Sequence, residues 1–69
     1  MKKLSVGDVA EAVSKVYALR DDPEAAHAAE DKLHQMVLGK IAAGMCDDAE
    51  GCARQALMTQ GIDFARWCA

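Results

Sequence analysis

A single proline divides this chain. Pro23, the only proline, follows Arg20-Asp21-Asp22. Proline disfavours helical geometry in the residue before it and suits the first position of a new helix. One helix therefore ends before Asp22 and a second begins there, with Asp22 as N-cap and Glu24 set against the positive end of the helix dipole. Upstream, Val6, Val9, Val13, Val16 and Tyr17 recur at spacings of three and four behind Ser5 and Asp8, a capping box with Asp in place of Glu. This pattern predicts a first helix over about residues 6–19, with Asp8, Glu11, Ser14 and Lys15 on its solvated face.

Downstream no breaker intervenes before Gly44, so the second helix is expected over about residues 23–43. Its inward stripe reads Ala26, Ala29, Leu33, Met36 or Val37, then Lys40 or Ile41. Gly44 suits a left-handed C-terminal cap, and Asp47 or Asp48 caps a third helix over about 49–60, which Gly61 ends. Asp63 is placed to cap a short helical turn over 63–67. Alanine is the commonest residue, β-branched residues are few and each aromatic type occurs once, which favours helix over strand. The expected fold is all-α, a small three-helix bundle with a short C-terminal helical turn. At 69 residues it forms one domain, 1–69.

Charge narrows the functional classes. Eight basic and eleven acidic residues give a net charge of −3, and Lys2-Lys3 is the only adjacent basic pair. Polyanion binding needs clustered Lys and Arg, so nucleic acid is disfavoured as a partner. A helix-turn-helix drawn over residues 38–57 would present Asp48, Glu50, Arg54 and Gln55 to the phosphates, leaving a weak DNA-binding regulator as a remote alternative. The longest uncharged stretches fall far short of the roughly 20 apolar residues that span a bilayer, so no membrane is expected. The N-terminal residues lack the apolar run of a signal peptide. A cytoplasmic location with reduced thiols follows.

Catalytic patterns are missing. There is no glycine-rich phosphate loop and no serine-histidine-aspartate order, so a non-enzyme without cofactors is expected. Cys46, Cys52 and Cys68 form no CxxC pair and are expected to be buried or idle thiols. The second helix carries His27, Glu30, Asp31 and His34, polar ligand types one helical turn apart, and a carboxylate three residues before a histidine is also the ligand spacing of di-metal bundles. The two histidines lie about 10.5 Å apart along the axis, too far to share one ion comfortably. A solvated face with local ion pairs is the plainer reading, and a helix-borne metal site the alternative.

The tail is the most distinctive segment. Ile62, Phe64, Arg66 and Trp67 are residue types that dominate interaction hot spots, and Met58 precedes them. Either Phe64 and Trp67 fold back to complete a small core, or they join an apolar patch that docks on another protein or on a second copy as a homodimer. A protein-protein interaction or regulatory module that self-associates is the expected function.

The segment 22–69, with its Asp22-Pro23-Glu24 helix start and Ile62-Asp63-Phe64-Ala65-Arg66-Trp67 ending, resembles a group of short bacterial helical proteins of unassigned function. The resemblance covers about two thirds of the chain and implies a compact helical domain. It carries no active site to transfer.

Overall fold

The computed structural model describes residues 2–66. Three α-helices follow one another: α1 (Val6–Ala18), α2 (Pro23–Ala42) and α3 (Ala49–Ala56), with a 3₁₀ turn at Leu57–Gly61. Each helix packs against the other two, which makes the three-helix bundle. Of the expected terminal turn over 63–67, residues 63–66 carry no helix and Trp67 lies outside the described residues. The helical turn falls earlier, at Leu57–Gly61, where α3 tightens instead of continuing to residue 60.

The helix ends are set by local chemistry. At α1 the Asp8 backbone N–H donates to Ser5 Oγ at 3.1 Å, while the Ser5 N–H donates to Asp8 Oδ2 at 3.0 Å, closing the capping box. Hydrogen bonds to the Asp8 carboxylate from the Ser5 backbone N–H and then from the Ser5 hydroxyl hold that carboxyl below its ordinary value. Asp22 accepts from the Ala25 N–H at 3.3 Å and Asp48 from the Gly51 N–H at 2.9 Å, so Asp48 is the cap of α3. Gly44 adopts φ 71°, the left-handed region that only glycine enters freely. There its N–H donates to the Ile41 carbonyl at 3.0 Å and the Met45 N–H to the Lys40 carbonyl at 2.8 Å, the paired bonds of a Schellman stop.

The core forms where the three apolar stripes meet. Val9 and Val16 from α1, Ala26, Leu33 and Val37 from α2, and Cys52 and Ala56 from α3 are buried together with Leu4, Ile62 and Phe64. Each fully buried valine contributes about 1.5 kcal/mol by removing its surface from water. Leu4 closes the open end of the bundle. Its N–H donates to the Met45 carbonyl at 2.8 Å and its carbonyl accepts from the Asp47 N–H at 3.0 Å, an isolated parallel bridge opposite Cys46.

Gly39, by contrast, is exposed in the last turns of α2, and a methyl group there would meet nothing within 4 Å. Gly39→Ala is expected to stabilise the fold by about 0.5–1 kcal/mol. Thermal denaturation followed by circular dichroism would then show Tm raised by roughly 4 °C. A lowered Tm would show that α2 requires the glycine for another reason.

Candidate functional site

The chain beyond the 3₁₀ turn is extended, with Ile62 at φ −80°, ψ 127°. Side chains in such a segment alternate, so Ile62 and Phe64 turn inward and Asp63 turns to solvent. Arg66 then reaches back to α2. Its Nε donates to Glu30 Oε1 at 2.9 Å and its Nη2 to Glu30 Oε2 at 3.0 Å, a two-pronged pair on a residue only 5% exposed. Further donations run from Nη2 to the Thr59 carbonyl at 2.8 Å and the Ile62 carbonyl at 3.2 Å, and from Nη1 to the Phe64 carbonyl at 3.3 Å. The guanidinium also covers the Phe64 ring, 3.8 Å from its centroid. One side chain thus fastens the tail to itself and to α2.

Electrostatics agree with this geometry. The hydrogen bonds from Arg66 hold the Glu30 carboxyl below its ordinary value against the opposing effect of burial, and Glu30 in turn raises the guanidinium. His34, one turn along α2, completes the polar seam: its Nε2 lies 2.9 Å from Thr59 Oγ1 and 3.2 Å from the Ala56 carbonyl. The Ala56 carbonyl can only accept, so with a proton on Nε2 the ring donates to it. Thr59, fully buried, passes its own hydroxyl proton to the Ala56 carbonyl at 3.1 Å.

The proposed metal quartet is therefore divided among other partners. Glu30 faces Arg66, His34 faces Thr59, and His27 Nδ1 lies 3.7 Å from Asp31 Oδ2 as a local pair. Among the described residues no group of three or more His, Cys, Asp or Glu side chains is placed to hold a metal ion. On the face drawn as a DNA reader, Arg54 pairs with Glu50 at 3.2 Å. That leaves little free positive charge for a phosphate there.

The five interaction residues also separate. Ile62 and Phe64 are buried in the core, which for Phe64 is the fold-back alternative of the two readings, and Arg66 is fixed on Glu30. Met58 is 60% exposed, and Trp67 lies outside the described residues. The 3₁₀ turn explains the sorting. Successive side chains at about 120° point Leu57 toward α2, Met58 toward α1 and Thr59 into the core.

Two exposed apolar surfaces result. Tyr17, 52% exposed and stacked under Arg20 at 3.9 Å, shares with Met58 a wide depression of about 800 Å³ whose rim carries Asp21 and Asp63. The second surface is nearly free of charge. Leu38, 66% exposed, and Leu57, 56% exposed, flank a groove of about 280 Å³ between α2 and α3, lined also by His34, Val37, Ala53 and Ala56. Leu38 lies off the inward stripe read for the second helix, and Leu57 opens the 3₁₀ turn directly after the buried Ala56. The available signal was adjacency: Leu38 and Leu57 each directly follow a buried residue, which turns them off the centre of the core-facing stripe.

Compared with protein-family models, with curated proteins and with solved structures, the chain finds no match.

Proposed function

We propose that this chain is a small non-enzymatic interaction module that pairs with a second copy of itself through the groove between α2 and α3. The observation that carries the reading is the pair of protruding leucines, Leu38 and Leu57, on either side of an apolar channel. A surface that offers both a groove and the side chains to fill one is self-complementary under a two-fold axis, as an isologous dimer requires. Its lining carries no carboxylate, lysine or arginine, so two copies of net charge −3 meet there without facing like charges. Among the described residues no helix is long and apolar enough to cross a membrane. We place the module in the cytoplasm, and propose kinship with the short bacterial helical proteins that it resembles in its Asp22-Pro23-Glu24 start and its Ile62-Asp63-Phe64-x-Arg66-Trp67 ending.

Sedimentation equilibrium tests the reading. The wild-type chain is expected to dimerise at micromolar to high-micromolar concentration, and Leu38→Asp and Leu57→Asp are each expected to shift it to monomer with helicity unchanged. Each buried leucine is worth about 1.5–3 kcal/mol, so each variant weakens association at least tenfold. A wild-type chain that stays monomeric throughout, or a dimer indifferent to both aspartates, overturns the proposal.

A further inference from the structure

Cys46 and Cys52 lie on either side of the Asp48 cap, and both converge on Leu4. Cys46 is the residue bridged to Leu4. Cys52 is fully buried, and its Sγ donates to the Leu4 carbonyl at 3.9 Å, the same oxygen that accepts from the Asp47 N–H at 3.0 Å. Both residues therefore border the Leu4 backbone, Cys46 through the bridge and Cys52 through its sulfur, and both pack on the same core, Cys46 partly buried and Cys52 enclosed. Burial pushes the Cys52 thiol up, and the neighbouring Cys46 thiol adds to the rise. The enclosed Cys52 is thereby kept in its thiol form, and Cys46 is the more exposed residue of the two, so an oxidant from solvent meets Cys46 first.

We infer that Cys46 and Cys52 form a reversible dithiol-disulfide pair oxidised by hydrogen peroxide, with Cys46 as the sulfur attacked and Cys52 as the resolving thiol. In the first step the Cys46 sulfur attacks one peroxide oxygen. The O–O bond breaks, and the products are a Cys46 sulfenic acid and water. In the second, the Cys52 sulfur displaces hydroxide from that sulfenic acid, forming the S–S bond and releasing a second water. Each sulfur has lost one electron and peroxide has gained two. The bond closes a short ring across the α3 N-cap and withdraws the Cys52 sulfur from the Leu4 carbonyl. The oxidation state of the pair then bears on the contact that fastens the N-terminal segment to the bundle.

Peptide mapping of the full-length wild-type chain tests this directly. The chain is treated with a few equivalents of hydrogen peroxide, alkylated with iodoacetamide and digested with trypsin. The fragment spanning residues 41–54 carries both cysteines and is cut apart from Cys68. It is expected to lose two hydrogens, about 2 Da, and to take no alkyl group. In Cys52→Ser, where no resolving thiol remains, dimedone is expected to label Cys46, and wild type is not expected to take the label. A fragment alkylated on both cysteines after treatment overturns the inference. So does a sulfinic acid at Cys46 beside an alkylated Cys52, or a disulfide joining the fragment to Cys68 or to another copy.

Discussion

Arg66→Ala is expected to cost about 3 kcal/mol, because it leaves the Glu30 carboxylate buried with no cation to meet it. In a domain of this length Tm would fall by roughly 12–24 °C. The loss should shrink in acid, and the sign follows from the two titrations. In the wild type, Arg66 holds the folded-state value of Glu30 low, so its stabilisation is complete above the ordinary glutamate value and is lost as pH falls through the lowered one. In the variant the Arg66 contributions are gone and burial works against only the smaller lowering by Thr59 and His34, so Glu30 titrates higher than in the wild type and the penalty shrinks as it is protonated. Urea denaturation of both chains between about pH 7 and pH 3 should show the gap closing. A gap that stays constant would mean that Arg66 acts through its three carbonyl contacts rather than through Glu30. The double variant Glu30→Met with Arg66→Met is expected to lose less than Arg66→Ala, since no buried charge is left unpaired.

That ion pair also marks where sequence reasoning stops. Ser5 with Asp8, Asp22 with Pro23, Asp48 and Gly44 all act on backbone groups within a few residues, so the helix starts and the Schellman stop were legible from short-range chemistry. Glu30 was not. The buried face of α2 runs Ala26, Glu30, Leu33, Val37, and the sequence stripe ran instead through Ala26, Ala29 and Leu33, because a carboxylate is a poor candidate for a core position without a partner. The partner stands 36 residues away, and nothing local announces it. The tail was half legible. Phe64 completes the core as a large apolar side chain in a small domain should, but the extended path beyond Ile62 replaced a helical turn because Arg66 is satisfied only when the chain lies flat across α2. Of the candidate surface, Leu38 and Leu57 were hidden by adjacency to core residues. The approach of Cys46 and Cys52 to Leu4 was hidden because it depends on the fold returning residues 46–52 to the N-terminal segment.

Gly51 offers the sharpest contest between local propensity and tertiary contact. It sits in the first turn of α3, where alanine is favoured over glycine by about 1 kcal/mol on helix propensity alone. The packing opposes that preference. A Cβ at Gly51 would lie 2.8 Å from Asp48 Cγ and 2.9 Å from Val6 Cγ2, neither of which has open space to move into without disturbing the α3 cap or the seam with α1. Displacing the Asp48 carboxylate gives up a cap worth about 1 kcal/mol, and forcing Val6 back adds an overpacking penalty of about 1–3 kcal/mol. Gly51→Ala is therefore expected to destabilise the fold by about 2 kcal/mol once the propensity gain is subtracted. Gly39→Ala makes the same chemical change on an exposed face of α2 with nothing nearby, so the two variants should move the urea midpoint in opposite directions. If both stabilise, α1 and α3 pack more loosely at Val6 than the structure places them, and the glycine is a matter of composition. If only Gly51→Ala destabilises, its missing side chain is what lets α3 start close against α1, the same close approach that sets Cys52 beneath Leu4.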